Sequence, residues 1–283
     1  MYPSTLVRHN KLLAFLFFYI RSISAVFVTI IIFFSSRLKK SKLLLVSVKY
    51  QPIVDLHRNQ WRGAEALLRI SLRGKQVSPA IFFNFTKRLG LNTFATRMIC
   101  KRIAQDYSEY LSACRGIYFT INLTAEDLQD KSFPSFVDAL FNAHGLSRRD
   151  VTFEITEKHS YDYGEIIEQL ITLKGLGFKI ALDDFGTGYS GLESFERLPI
   201  DIVKLDRSFF SNDHKKYNPA WKQIFKMISD FDVDFIAEGI ETHTEHSGIK
   251  SQNVRYAQGW FYSKALGAKE FTRQFFIQGS TNK

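Results

Sequence analysis

The sequence predicts an α/β fold: a closed (β/α)8 barrel of the TIM type, preceded by one N-terminal membrane helix. Three observations predict it. About eight short β-rich runs alternate with longer amphipathic stretches through most of the chain, a pattern of parallel α/β domains. Polar, metal-competent groups stand near the C-terminal end of run after run, where a barrel gathers its functional residues on one rim. A long apolar stretch flanked by basic residues precedes them all.

The first element is that apolar stretch, Leu12–Phe34, long enough for the ~20 residues a bilayer requires. Arg21 lies near its middle. A central Arg costs about 2.5–3.5 kcal/mol on insertion scales, and the many Phe, Ile, Leu and Val residues outweigh it. The flank "RLKKSK" after the span is more basic than "RHNK" before it, so the positive-inside rule places the C-terminal side in the cytoplasm. No small-residue cleavage site marks the segment as a signal peptide. The chain is therefore divided into an N-terminal segment, residues 1–42, and a folded domain, residues 43–283. The expected location is the bacterial inner membrane with the folded domain cytoplasmic.

Charge supports that division. The formal net charge is +10. Arg8, Lys11, Arg21, Arg37, Lys39, Lys40, Lys42 and Lys49 all precede the first acidic residue, and the remainder is nearly balanced. A nucleic-acid binder carries its basic stripe on the folded domain. The expected partner is thus the membrane, and no DNA or RNA partner is expected.

The strands are read near Leu44–Val54, Arg62–Ile70, Ile117–Leu123, Val151–Thr156, Phe178–Asp183, Ile202–Asp206, Asp234–Ala237 and Arg255–Gly259. Each is a short apolar or β-branched run bounded by turn or polar residues. Helices are read over Phe94–Ala113, Phe133–His144, Tyr163–Leu176 and Asn218–Asp230, where apolar residues recur at helical spacing. Cys100 and Cys114 sit in no metal or redox spacing and are expected to be buried free thiols.

The polar groups fall at comparable places. Run two carries Glu65, run three ends at Asn122, and run four holds Glu154 with Glu157 beyond. Run five ends at Asp183 and Asp184, run six holds Lys204, run seven is followed by Glu238 and Glu241, and run eight holds Gln258. Singly, each fits a helix cap or first-turn acid; so many on separate strands fit a barrel rim better. Carboxylates with an amide carbonyl are hard oxygen donors that suit Mg2+ or Mn2+ rather than zinc. Two adjacent aspartates repel unless water or a cation lies between them. They suggest one acid bridging two ions, an arrangement used in phosphoester hydrolysis. Gly186 and Gly188 permit a sharp turn after them. Lys204 shares its strand face with Ile202 and Asp206, and is suited to orient a water or neutralise phosphate. Glu238 is suited to be a metal ligand, a general base, or both. Arg69 alternates with Leu67 and Glu65 on one face, and a guanidinium there suits a phosphate oxygen.

These residues lie in a set of strings with one resemblance. "GAEALLR" (63–69) is similar to the signature of the EAL-domain cyclic di-GMP phosphodiesterases. "YQPIVDL" (50–56), "TINLT" (120–124), "FEITE" (153–157), "ALDDFGTGYSGL" (181–192), "LPIDIVKLDRSFF" (198–210), "IAEGIET" (236–242) and "AQGWFYSKAL" (257–266) resemble that family's remaining motifs in order. The resemblance implies a modified (β/α)8 TIM-like barrel and metal-dependent hydrolysis of cyclic di-GMP to linear pGpG. It implies that Glu65, Asn122, Glu154 and Asp183 hold one ion, and that Asp183, Asp184 and Glu238 serve a second. Glu238 and Lys204 would be catalytic, handling the attacking water. Gln51, Leu67 and Arg69 would meet the substrate, with Gln258 near the metals. Glu157 and Glu241 would support the loop after "DDFG" and the metal shell. A homodimer through the domain is a further implied partner, and motility and biofilm formation the implied processes.

The chain departs from the family pattern at Ile70, where a Trp is frequent, at "FFNFTK" (82–87) and at Gly191. None of these is an implied ligand. The alternative reading is a catalytically silent cyclic di-GMP receptor or protein-interaction domain. His243 and His246 are expected to be surface histidines rather than a metal site.

Overall fold

A computed structural model describes residues 44–72, 74–156, 163–185, 191–209 and 233–281. The expected membrane span, the helix read over Asn218–Asp230, Gly186, Gly188 and Glu157 lie outside the described residues. Among those described, no helix is long and apolar enough to cross a membrane.

The described residues divide into two compact units, one within residues 44–47 and 69–89, the other within residues 48–68 and 90–281. In the first, the end of strand β2 (Gln60–Leu72) pairs antiparallel with β3 (Lys75–Val77) across a turn at Gly74, whose φ is +81°. Helix α1 (Pro79–Arg88) follows; its proline stands in the first turn, where a missing N–H costs nothing, and Phe82 and Thr86 are its buried residues.

The second unit holds the barrel. After β1 (Leu44–Asp55) and β2 come β4 (Tyr118–Asn122), β5 (Val151–Thr156), β6 (Lys179–Phe185), β7 (Ile202–Leu205), β8 (Asp234–Ala237) and β9 (Tyr256–Gln258). The sheet order β1-β9-β8-β7-β6-β5-β4-β2, with β1 also paired to β2, closes a ring of eight strands. The strand runs read from sequence are all present, with ends that agree or shift by at most two residues. Helices α2 (Asn92–Glu109), α3 (Ala125–Gln129), α4 (Phe133–Ala143), α5 (Tyr163–Gly175), α6 (Gly191–Arg197), α7 (His243–Ser251) and α8 (Ala268–Thr281) lie between or after the strands. Cys100 and Cys114 are buried free thiols, as expected.

One feature departs from an all-parallel barrel. β1 runs antiparallel to β9, with Ile53 opposite Gln258 and Asp55 opposite Tyr256, while every other strand of the ring is parallel to its neighbour. The reason is local. β1 and β2 are joined by four residues, too few for the helical crossover that parallel strands need. Asp55 Oδ1 accepts from the backbone N–H groups of His57 and Arg58 at 3.0 and 3.1 Å, and Asn59 completes the reversal at φ +50°.

Inside the ring, Ile53, Ala181, Ile202, Ile236 and Tyr256, from five strands, pack as one apolar cluster with Tyr118 against it. Side chains alternate along a strand, so residue i+2 shares the face of residue i one step along the barrel axis. Two residues beyond four of these apolar positions stand Asp183, Lys204, Glu238 and Gln258. An apolar layer thus underlies a polar one, and the polar layer is the C-terminal rim.

Gly259 marks where the rim is tightest. A Cβ there would meet the backbone oxygen of Ile240 at 1.9 Å. Gly259→Ala is expected to destabilise the domain by about 1–3 kcal/mol through overpacking against immovable backbone, measured as a lower urea midpoint. Cys100 is fully buried and burial pushes its thiol up, so the folded protein at pH 8 should leave it unalkylated while denatured protein reacts at both cysteines, read by mass spectrometry.

Candidate active site

The tandem Asp183–Asp184 comes together through a bulge. In a regular strand adjacent side chains project to opposite faces. Here β6 and β7 pair at Leu182↔Val203 and again at Phe185↔Leu205, so two aspartates oppose the single residue Lys204. Asp184 takes φ +56°, in the left-handed region that Asp tolerates better than most side chains. The extra residue re-aims one side chain. As a result Asp183, Asp184 and Glu238 each offer a carboxylate oxygen within 4.8 Å of one another.

Lys204 is the centre of the group. It is 1% exposed. Its Nζ lies 2.8 Å from Glu154 Oε1, 2.9 Å from Glu238 Oε1, 3.1 Å from Asp183 Oδ1 and 3.8 Å from Glu65 Oε2. Glu154 is fully buried on β5, between β4 and β6. Glu65 on β2 is held by two amides: Asn122 Nδ2 donates to its Oε1 at 3.2 Å and Gln258 Nε2 to its Oε2 at 2.5 Å. The rim therefore draws on β2, β4, β5, β6, β7, the exit of β8, and β9.

The remaining expected residues are placed less centrally. Gln51, on β1, donates weakly to the carbonyl of Ser263 at 3.4 Å. Leu67 is half-buried on β2 two residues beyond Glu65, and Arg69, half-buried two residues further, belongs to the first unit. Glu241 is exposed and pairs with Arg207 at 2.7 Å. His243 and His246 form no metal group among the described residues; His246 stacks on Phe261 with centroids 4.9 Å apart, and its Nδ1 lies 2.9 Å from the Tyr262 hydroxyl. The sequence reading passed over Glu245, which closes a capping box with Thr242 at the start of α7. The spacing Thr-x-x-Glu at 242–245 was the available signal.

Does this donor set fit a divalent cation? Both carboxylate oxygens of Glu154, Oδ1 of Asp183 and Oε1 of Gln258 are buried without a hydrogen bond of good geometry. The Lys204 ammonium approaches Glu154 Oε1 and Asp183 Oδ1 as an ion pair, at 2.8 and 3.1 Å. Buried oxygens left open in this way, all of them hard donors, fit Mg2+ or Mn2+.

A family model described as the EAL domain matches residues 38–265. The chain belongs to the EAL domain family. The probable cyclic di-GMP phosphodiesterase PdeB of Escherichia coli strain K12 is 33% identical over 229 residues, covering 81% of this chain and 44% of the relative. The probable cyclic di-GMP phosphodiesterase PdeG of the same organism is 31% identical over 227 residues, covering 77% and 44%. The chain thus spans less than half the length of these relatives. Among solved structures, the EAL enzyme Bd1971 in its cAMP- and cyclic-di-GMP-bound form superposes with a TM-score of 0.76 at 27% identity, covering 90% of this chain and 70% of that one.

Electrostatics of this EAL rim follow from burial. Four carboxylates surround one ammonium, and burial disfavours a charged form. Burial, reinforced by Glu65 and Asp183 and opposed by Lys204, pushes the Glu154 carboxyl up to about 8. Burial likewise raises Glu238 well above the usual carboxylate range, against the pull of Lys204. For Lys204, burial alone would depress the ammonium, but Asp183, Glu154, Glu238 and Glu65 outweigh it and hold it well above its ordinary value.

A pH dependence follows. Glu154 and Glu238 bind protons more tightly folded than unfolded, so the stability they contribute is present below the unfolded carboxyl range of about 4.3 and is lost as pH rises, for Glu154 toward about 8. Divalent ions take the deprotonated carboxylates. Chelated protein should melt at lower temperature at pH 8 than at pH 6, and the gain on adding Mn2+ should be larger at pH 8. Glu154→Gln should flatten both trends in scanning fluorimetry. A gain independent of pH would show the rim carboxyls already ionised.

Proposed function

We propose that the chain is a metal-dependent phosphodiesterase that hydrolyses cyclic di-GMP to linear 5′-pGpG. The observation that carries this is the convergence of Glu65, Glu154, Asp183 and Glu238 on Lys204, with Asp184 brought alongside by the bulge. The names of PdeB and PdeG supply the substrate class. By similarity Glu65, Asn122, Glu154 and Asp183 would hold one Mg2+ or Mn2+ ion, and Asp183, Asp184 and Glu238 a second. Bound there, such ions neutralise the phosphodiester and make a water more acidic.

The chain's own groups do the rest. Glu238, in its ionised form, accepts a proton from the attacking water. Lys204 donates to that water and offsets repulsion among the carboxylates. The water oxygen bonds to phosphorus, the bond from phosphorus to the 3′-oxygen breaks, and that oxygen leaves with the bonding electron pair and takes a proton from solvent to become a hydroxyl. Glu65 is oriented by Asn122 and Gln258, which keep its two oxygens fixed. Gln51, Leu67 and Arg69 bind the dinucleotide; Glu157 and Glu241 support the loop and metal shell.

In the cell, Leu12–Phe34 anchors the protein in the inner membrane with residues 43–283 in the cytoplasm, and a second copy is a partner. Hydrolysis there lowers the messenger and thereby shifts motility and biofilm formation.

The test is hydrolysis of cyclic di-GMP by the full chain in detergent, with Mg2+ or Mn2+, with chelator, and with two variants. Linear product should appear only with metal. Glu238→Gln should lower kcat by about 100- to 10,000-fold, and Glu65→Ala should remove metal-dependent turnover. Folded protein that binds the dinucleotide and yields no product in either metal would overturn the enzyme reading in favour of a receptor.

A further inference from the structure

Glu238 does not stand on a strand. It follows the last residue of β8 and begins a segment, residues 238–242, that leads to α7. Its own backbone is tied to β7 through the bond from Glu238 N–H to the Leu205 carbonyl at 2.9 Å. Beyond it, the segment is held from both neighbouring strand exits. On the β9 side, Ile240 N–H donates to the Gln258 carbonyl at 3.1 Å, and Phe261 N–H donates back to the Ile240 carbonyl at 3.0 Å.

On the β7 side stands Arg207, three residues after Lys204. Its stem lies on Gly239: that glycine has φ +66°, and a Cβ there would come 2.7 Å from the Arg207 Cβ. Its head is a fork. Nη1 lies 2.7 Å from Glu241, Nη2 lies 3.2 Å from Glu245 Oε1, and Nε donates to that same oxygen at 3.2 Å. The other oxygen of Glu245 accepts from the N–H groups of Glu241 and Thr242 at 2.8 and 2.9 Å. Arg207 thus touches the segment at Gly239, Glu241 and Glu245, and no residue of the carboxylate cluster except through it.

We propose that Arg207 is a positioning residue for Glu238: it clamps residues 239–245 onto the exit of β7 and so fixes where the Glu238 carboxylate enters the rim. The inference rests on the reading above, in which Glu238 is a metal ligand and base. The competing account is an ordinary surface ion pair, since Arg207 is 41% exposed and exposed pairs contribute little. Three features oppose it. Glu245 is only 5% exposed, the fork bridges two carboxylates in a way lysine cannot copy, and the stem fills the space that Gly239 leaves open.

The experiment compares the full chain with Arg207→Ala, Arg207→Lys and Arg273→Ala, the last removing an exposed pair on α8. Two readouts need no substrate: Mn2+ affinity by calorimetry, and amide exchange of residues 239–242 in chelated protein. Arg207→Ala should weaken Mn2+ by about 10-fold or more, the range for groups that orient metal ligands. It should also speed exchange of 239–242 and lower kcat more than it raises KM. Arg207→Lys should recover only part of each, and Arg273→Ala should change none. Unchanged Mn2+ affinity and unchanged exchange in Arg207→Ala would overturn the proposal. If that variant does not fold, Glu241→Gln decides by the same readouts, since it removes the 2.7 Å bridge and leaves Arg207 in place. A wild-type chain that binds Mn2+ without cleaving cyclic di-GMP would sink the phosphodiesterase reading alone and leave this one to the Mn2+ and exchange results.

Discussion

The Lys204 ammonium, buried among four carboxylates, is the interaction on which the rest of the rim depends. A buried lysine without partners would shed its proton, and buried carboxylates without a cation would take theirs up. Here each makes the other tolerable. Glu154, Glu238 and Asp183 all lie within 3.1 Å of Nζ, and the fully buried Glu154 could not stand on β5 without it. Yet one ammonium does not neutralise five acids. The remaining imbalance appears as raised carboxyl groups and as oxygens without a hydrogen-bond donor, and both fit a site built for added positive charge.

The barrel makes that concentration of charge mechanically stable. The apolar cluster of Ile53, Ala181, Ile202, Ile236 and Tyr256 closes the interior below, and the charged layer begins one alternation above it. Strand period therefore does two jobs at once: the same faces that bury aliphatic side chains at one level present acids at the next. Among the described strands, the bulge at Asp183–Asp184 is where the period is broken, and there two successive acids serve one rim. The left-handed conformation of Asp184 is the local strain that this requires.

Loops at the rim are held by contact between strand exits rather than by their own secondary structure. The segment after β8 is wedged between Arg207 from β7 and Gly259 from β9, and both approaches are too close for a Cβ at the facing glycine. Such packing gives a carboxylate a fixed direction even where it lies beyond the end of a strand. Orientation of this kind matters more for catalysis than for stability, because a base must meet its proton at hydrogen-bond distance.

Most of this was legible along the chain. The eight runs of β-rich residues, the polar groups near the ends of seven of them, and the hard-oxygen character of most of those groups are one-dimensional signals, and the string "GAEALLR" with its companions added the family. Those signals survive because strand burial and strand period are local rules. Three things were not legible. The antiparallel β1 follows from a four-residue turn whose Asx bonds and left-handed Asn59 show only once the chain is folded. The pairing of both aspartates with the single Lys204 depends on register between β6 and β7, which no residue encodes alone. Arg207 carries no signal of its own along the chain, and Glu245 offers only a capping spacing, until the exits of β7, β8 and β9 are side by side. Sequence determined which residues could carry the chemistry, because chemistry belongs to side chains; tertiary structure decided which of them meet, because distance between strands belongs to the closed sheet.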